Sequence, residues 1–154
     1  MYRPKVEIGI FVLNSKCDKI LLGKRFGEGL WTLPGGKLNF GDSFEDCAVK
    51  ELKKQVKLDI NSERLIEICT FNALDKKNKF HSLEIDFLLK LTEKEESEVV
   101  NNDTFSFETW SWFNIEEMID TLKLFCTIQM FITKFKIKNI DDIINMSEFC
   151  KLVK

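Results

Sequence analysis

The 154-residue sequence predicts a protein of the α/β (α+β) class, because segments with the two-residue period of strands are interspersed with segments of helical periodicity. Strand-like alternation near the N-terminus predicts a half-buried strand at Val6, Ile8, Ile10 and Val12. Residues 64–74 and 81–91 flank the turn-rich segment 75–79 and predict an antiparallel hairpin. With 44% apolar residues and 14 Phe, the chain can bury a sizeable core, and we expect residues 1–154 to form a single domain.

The remaining elements are predicted from shorter patterns. Further strands are expected at residues 20–23 and 110–113, and further helices at 115–121, 124–135 and within the tail 137–154. The segment 92–106 is polar and acidic, which predicts a mobile loop.

One helix is predicted to begin at Asp42 or Ser43 and to continue to about Lys57. Both starting residues are good N-caps, and each is followed three residues later by an acidic residue, Glu45 or Asp46, as in a capping box. The sequence leaves open which of the two caps the helix.

The same helix is predicted to have an apolar face and a neighbouring polar flank. The buried face is expected to consist of Phe44, Ala48, Leu52 and Val56. The neighbouring arc carries Cys47, Glu51, Lys54 and Gln55. Because residues three or four apart lie on one side of a helix, Glu51, Lys54 and Gln55 can converge at a cleft.

These residues belong to a longer signature, which reads Gly36-(x5)-Asp42-(x7)-Lys50-Glu51-Leu52-x-Lys54-Gln55-x-Lys57-Leu58 and follows Leu33-Pro34-Gly35. It resembles the Nudix box, Gly-x5-Glu-x7-Arg-Glu-(aliphatic)-x-Glu-Glu-x-Gly-(aliphatic). The resemblance implies the Nudix fold, a mixed β-sheet sandwiched between helices, in which the box forms a loop-helix-loop. In that family the box holds magnesium against the diphosphate of a nucleotide.

The resemblance extends along nearly the whole chain. Segments 3–6, 21–25, 31–34, 40–41, 110–112 and 124–125 are similar to MutT-like nucleoside triphosphate diphosphatases of the human MutT homologue 2 type. This similarity implies a homodimer that uses magnesium to cut a nucleoside triphosphate to monophosphate and pyrophosphate. The 14 Phe also favour an apolar patch that pairs two subunits.

The box departs from the family pattern where the metal would be held. Glu51 is retained, but Lys54 and Gln55 stand at the positions of two glutamates. An amide oxygen is a weak ligand for a hard cation and an ammonium repels it, so we expect magnesium binding to be weak or absent, with manganese possible. Lys57 replaces the glycine that ends the helix, at a cost of about 1 kcal/mol. These departures predict hydrolysis that is severely weakened or lost.

Candidate site residues follow from the box and its resemblance. Glu51 is the expected catalytic residue and principal metal ligand, Glu108 an additional carboxylate or base, and Gln55 a secondary metal ligand. Substrate binding is expected to involve Arg25, Gly35, Gly36, Lys37, Lys54 and Phe125. In the resembling subgroup a Trp-Gly-Leu walls the purine, whereas this chain has Cys126-Thr127-Ile128, so the base pocket is expected to differ.

Two functional classes remain open from the sequence. The first is a pyrophosphohydrolase of reduced activity that acts on a nucleotide or nucleoside diphosphate derivative. The second is a non-catalytic Nudix module that binds a nucleotide or a protein partner, with the charge of Lys54 in place of the metal. A structural subunit of a larger assembly is a third reading.

Composition restricts the partners. The net charge of −2 and the lack of a basic arm argue against extended nucleic acid as a ligand. No signal segment or membrane-length apolar run is present, so we expect a soluble, cytoplasmic protein. The five cysteines are widely spaced and predict reduced thiols rather than a disulfide framework or zinc site.

Overall fold

The computed structural model describes the backbone of residues 2–153 and the side chains of residues 2–148. Its strands are β1 (Lys5–Leu13), β2 (Ile20–Arg25), β3 (Trp31–Thr32), β4 (Gly35–Lys37), β5 (Ile66–Asp75), β6 (Phe80–Lys90) and β7 (Phe107–Phe113). Its α-helices are α1 (Phe44–Val56), α2 (Glu93–Glu98), α3 (Ile115–Thr121), α4 (Cys126–Phe135) and α5 (Ile140–Val153). A short 3-10 helix, Ser62–Arg64, precedes β5.

The strands form one mixed seven-stranded sheet, as expected for the predicted fold class. Its order is β3-β2-β1-β6-β5, with β4 also paired to β1 and β7 to β2. The central pair β1 and β6 is parallel, and the other pairs are antiparallel. The predicted hairpin is confirmed as β5 and β6.

Helices cover both faces of the sheet. Ile8 and Ile10 of β1 belong to a core cluster with Leu52 of α1, whereas Phe11 of β1 packs in a second cluster with Phe131 of α4. The prediction that β1 is only half-buried is therefore wrong, because every residue from Ile8 to Leu13 is buried. A central strand between two helical layers has no solvent face.

Helix α1 begins at Ser43, whose side chain accepts from the Asp46 N–H while Asp46 caps the Ser43 N–H in return. This selects Ser43 over Asp42 as the N-cap. The helix ends at Lys57, which is left-handed with φ 61°. Lysine therefore occupies the backbone conformation that favours glycine, as predicted.

The buried face of α1 differs in part from the predicted one. Ala48, Leu52 and Val56 are buried, but Phe44 is 37% exposed. Cys47 and Gln55 are buried instead. The helix is therefore rotated so that the arc of Cys47 and Gln55 contacts the sheet and its first turn leaves Phe44 at the surface.

The segment 92–106 is not the mobile loop that was predicted, because its polar residues form hydrogen bonds with other parts of the fold. It begins with α2, which Thr92 and Glu95 close with a capping box. Glu95 also accepts two hydrogen bonds from Arg64, at 2.6 and 2.9 Å. Further along, Asn102 donates to the carbonyls of residues 53 and 54 and so caps the C-terminus of α1.

Several predicted boundaries shift. Strand β7 begins three residues before the predicted Trp110, helix α4 begins at Cys126 with Phe125 as its N-cap, and α3 has the predicted bounds. The short strands β3 and β4 were not predicted. No disulfide joins the cysteines whose side chains the structure describes. No helix within the described residues has both the length and the apolarity to cross a membrane.

Candidate functional site

A cleft with a volume of about 1110 Å³ lies over the central strands, between the end of α1 and the start of α4. Most of the residues predicted for the site line it. They are Arg25, Gly35, Gly36, Lys37, Glu51, Lys54, Gln55 and Phe125. The fold thus brings the box and two distant segments to one concave surface, and the individual roles of these residues stay predictions.

Strand β4 carries the two glycines along β1 and beside Glu51. A Cβ on Gly35 would lie 1.9 Å from the Ile8 carbonyl oxygen, and Gly35 has φ 149°. A Cβ on Gly36 would lie 3.0 Å from the Glu51 carboxyl carbon. Gly35 therefore needs glycine for the backbone to pass this close to β1, whereas a Cβ on Gly36 would require the Glu51 carboxylate to shift.

The Gln55 side chain connects α1 to β4. Its amide nitrogen donates to the Gly35 carbonyl at 2.7 Å and to Glu51 Oε2 at 2.8 Å. Its amide oxygen accepts from the Gly35 N–H at 3.2 Å. Gln55 thus uses both ends of its amide on protein groups and holds the Glu51 carboxylate in place.

This arrangement does not fit a resident magnesium ion. Gln55 presents an N–H to Glu51, and the Gln55 oxygen that would ligate a cation accepts a hydrogen bond from the Gly35 N–H. Lys54 places an ammonium in the same cleft. Within residues 2–148, no three His, Cys, Asp or Glu side chains are grouped so that they could hold a metal ion.

Glu51 is half-buried at the cleft. Burial raises the pKa of its carboxyl above the usual value, while Lys54 and the hydrogen bond from Gln55 lower it and Asp103 raises it. The two residues that replace box glutamates therefore stabilise the ionised form of Glu51.

Glu108 is placed beside the cleft by its strand. It is on β7 and forms an ion pair with Lys24 at 3.3 Å, and it is not among the cleft-lining residues. Its neighbour Phe107 does line the cleft, and the role of Glu108 as an additional carboxylate or base stays a prediction.

Phe125 and Arg25 meet at another part of the cleft. The Arg25 guanidinium carbon lies 4.9 Å from the centre of the Phe125 ring, and Phe80 contacts that ring edge-on at 6.1 Å. The Phe125 backbone N–H donates to the Trp31 carbonyl at 2.9 Å, which anchors the start of α4 to β3. Arg25 also pairs with Glu28 at 3.6 Å.

The sequence reasoning missed a row of acidic residues on the cleft floor. Glu7 of β1 lies opposite Glu84 of β6, and Gly9 lies opposite Asp86 two residues further along the same pair of strands. Glu7, Glu84 and Asp86 all line the cleft. The available signal was the alternation of Glu84 and Asp86 with apolar residues, which by itself is equally typical of a solvent-facing strand edge.

Burial dominates the electrostatics of this floor. It raises the pKa of Asp86 to about 8, with a further contribution from Glu84, and raises the pKa of Glu84 to about 7. The pKa of Glu7 is raised for the same reason. Carboxyl groups at these positions hold protons at pH values where exposed ones have lost them.

Comparison with known proteins finds relatives with similar sequences. The chain is 26% identical over 135 residues to an RNA pyrophosphohydrolase from Ruthia magnifica subsp. Calyptogena magnifica, covering 77% of this chain and 75% of that protein. An RNA pyrophosphohydrolase from Actinobacillus pleuropneumoniae is 38% identical over 65 residues, which is 42% of this chain and 30% of that protein. For the second relative, the match therefore spans under a third of its length.

Solved structures show the same fold. A MutT protein from Methanosarcina mazei Go1 superposes with a TM-score of 0.70 at 18% identity, covering 88% of this chain and 96% of that one. A MutT NUDIX hydrolase from Burkholderia pseudomallei gives a TM-score of 0.62 at 23% identity, covering 73% and 84%. The NUDIX domain model matches residues 3–128. The signature of α1, the mixed sheet and the cleft on its central strands are thus explained together, since the chain belongs to the Nudix hydrolase family.

Proposed function

We propose that the cleft binds the phosphates of a nucleoside triphosphate, and that the protein is of the diphosphatase type with hydrolysis severely weakened or lost. The observation that carries this proposal is the Gln55 amide, which donates to Glu51 where a further metal-binding carboxylate is expected. Lys54 adds a positive charge in the same cleft.

Phosphate binding is supported by the cleft's other groups. Lys5, Arg25, Lys37 and Lys54 line it, so cationic side chains are available to phosphate oxygens although six acidic side chains line the cleft as well. Cationic side chains attract phosphate most strongly where protein surrounds them on several sides and water screens them least.

Loss of hydrolysis follows from the charge requirement of the reaction. Cleaving a phosphoanhydride with water develops negative charge on the leaving and bridging oxygens, and preorganised positive charge is the main source of catalysis. Glu51 is one half-buried glutamate hydrogen-bonded to an amide, and alone it does not hold the metal ion that would neutralise that charge. Removing one such stabilising group typically costs about 10²–10³-fold in rate.

A non-catalytic binding module is the second candidate, and Lys54 favours it. Its ammonium gives the cleft a fixed positive charge that needs no metal, so nucleotide binding should persist in the presence of a chelator. Such a module would bind a nucleotide without turning it over, alone or as part of a larger assembly.

The test is pyrophosphate release by the wild type, Lys54→Glu, Gln55→Glu and the double variant, with magnesium or manganese. Substrates should include the common nucleoside triphosphates and a 5′-triphosphorylated oligonucleotide, because several relatives are named RNA pyrophosphohydrolases. The double variant should gain about 10²-fold or more in rate, and each single variant little, because the restored carboxylates act together.

Two controls complete this experiment. Lys53→Glu makes the same charge change on an exposed neighbour that does not line the cleft and should leave the rate unchanged. Glu51→Gln in the double variant should abolish the gain. Turnover by the wild type as fast as by the double variant would disprove the proposed impairment.

If the double variant binds metal but cuts no nucleotide, the diphosphatase assignment is wrong. If the unmodified protein binds nucleotide with the metal chelated and shows no turnover, the binding-module alternative replaces the weakened enzyme.

A further inference from the structure

A second groove, with a volume of about 610 Å³, adjoins the cleft. It is lined by residues 3–6 around the start of β1, 37–38 at the end of β4 and 39–42 in the loop before α1. Lys5, Lys37 and Asn39 line both the groove and the cleft, so the two concave surfaces are continuous. Of the residues predicted for the functional site, only Lys37 lies in the groove.

Positive charge is in excess in this groove. Its cationic side chains are those of Arg3, Lys5 and Lys37. Within residues 2–148, none of the three forms an ion pair. The acidic lining residue is Asp42, and the Lys50 ammonium lies 2.6 Å from its carboxylate. An anionic ligand in the groove would therefore meet cations that no ion pair within the described side chains neutralises.

Aromatic side chains stand exposed at the same place. The Phe40 side chain is fully exposed, and Tyr2, next to Arg3 in the chain, is 77% exposed. Gly41 follows Phe40 with φ 90°, in the left-handed region that favours glycine, and the Asp42 N–H donates to the Asn39 carbonyl at 3.2 Å. This turn presents the Phe40 ring to solvent at the edge of the groove, where it offers a flat surface for stacking.

Exposed rings beside unpaired cations suit single-stranded nucleic acid. In such complexes the cations contact the phosphodiesters and the rings stack on bases, without a requirement for one base sequence. A second copy of the chain fits less well, because a two-fold contact through the groove would bring the cations of both copies together. An acidic peptide would meet the cations too. The nucleic acid is favoured over the peptide because the groove continues into the cleft that is proposed to bind nucleotide phosphates.

For this choice of occupant the inference rests on the proposed function. We propose that the groove is a binding site for a short single strand of nucleic acid, in which Phe40 stacks on a base and Arg3 contacts a phosphodiester. Lys5 and Lys37 lie where the groove meets the cleft and extend the row of cations along the strand. The strand is short, because the net charge of −2 opposes phosphates that reach beyond the groove.

The test uses a short oligoadenylate with a 5′-hydroxyl end and a fluorescent label at its 3′ end. This probe carries no terminal phosphate that could bind in the cleft. Fluorescence anisotropy with the full chain at low salt should show binding, and the binding should weaken as the KCl concentration is raised. Because no bond is cut, the result does not depend on whether the protein is an active enzyme.

Variants of Arg3 and Phe40 separate the two kinds of contact. Arg3→Gln should reduce the slope of log affinity against log salt by about 0.7, the value for one phosphate contact on a single strand. Phe40→Leu keeps an apolar side chain but removes the ring, and it should weaken binding about 10-fold without changing the slope. Phe40→Trp should retain the affinity, since it keeps an aromatic surface.

Two exposed residues outside the groove and the cleft provide matched controls. Lys16 lies in the turn at the other end of β1, and Leu74 lies on β5. Lys16→Gln and Leu74→Ala should leave both the affinity and the salt slope unchanged. Absence of oligoadenylate binding by folded wild-type protein at low salt overturns the proposal, and so does binding that neither Arg3→Gln nor Phe40→Leu changes.

The other occupants give different results. If Phe40→Leu converts a dimer to a monomer in sedimentation and leaves oligoadenylate binding unchanged, the groove is a contact between two copies and the proposal is wrong. It is also wrong if a labelled oligoglutamate peptide binds as tightly as the oligoadenylate and with the same loss in Phe40→Leu.

Failure of this inference and failure of the proposed function are distinguishable. Calorimetric titration with the α,β-methylene analogue of ATP reports on phosphate binding in the cleft. Binding of the analogue without binding of the oligoadenylate overturns the groove site and leaves the cleft assignment intact. Binding of the oligoadenylate through Arg3 and Phe40 without binding of the analogue supports the groove site and overturns the proposed function.

Discussion

Replacing Asp86 by Asn should stabilise the folded protein at pH 8. The wild-type carboxyl is 3% exposed, and burial together with Glu84 raises its pKa from 3.8 to about 8. Between these two values the folded chain keeps a proton that the unfolded chain has released. The unfolding free energy of the wild type therefore falls as the pH rises across this window.

The size of the effect follows from the pKa difference. A pKa difference of one unit corresponds to about 1.4 kcal/mol, so the rise from 3.8 to about 8 sets an upper limit of about 6 kcal/mol for Asp86. Because the carboxyl lines an open cleft that admits water, we expect about 2–4 kcal/mol. Asn keeps the acceptor for the Cys69 thiol, avoids the ionisation and does not leave a cavity.

Urea unfolding of the wild type and Asp86→Asn, followed by circular dichroism at pH 5 and pH 8, measures this difference. The variant should gain relative to the wild type mainly at pH 8, and the exposed Asp59→Asn should show no such change. An Asp86→Asn advantage that is the same at both pH values would refute the reasoning, because it would not arise from ionisation.

Further expectations concern stability and assembly. Lys57→Gly should raise the free energy of unfolding in urea by about 1 kcal/mol, because Lys57 adopts φ 61° at the end of α1. An unchanged midpoint of urea unfolding would show that the left-handed residue carries no strain. Arg64→Leu should lower the free energy of unfolding by about 1 kcal/mol at pH 7, and by progressively less as the pH falls from 4.5 to about 2. Arg64 holds the pKa of Glu95 at about 2, and their ion pair is lost when Glu95 is protonated. A loss of stability independent of pH would contradict the ion pair as its source. Phe131→Ala should cost about 3–5 kcal/mol, since the Phe131 ring of α4 is buried against Phe11 in the second core cluster. A loss below 1 kcal/mol would mean that this cluster contributes little to stability. We also propose that the protein is a homodimer, and sedimentation that shows only monomer at micromolar concentrations would remove that proposal.

The sequence determined the elements whose information is local. The apolar spacing and capping residues of α1 are contained within fifteen residues, and the hairpin of β5 and β6 is marked by the turn residues between its strands. The same local spacing placed Glu51, Lys54 and Gln55 on one flank of a helix, and the structure brings all three to the cleft. Side chains one turn apart on a helix lie on one side of it in any fold that keeps the helix.

Only the tertiary structure decided the environment of the strand residues. An alternating strand exposes or buries its polar face according to what packs on that face, and the pattern of Glu84 and Asp86 is the same in both cases. Here the start of α4 and the aromatic side chains around the cleft enclose that face, so both carboxyls are buried. Likewise, Glu108 forms an ion pair with Lys24, because the antiparallel pairing of β7 with β2 sets its position. Such contacts join residues distant in sequence, and no local period of the chain encodes them.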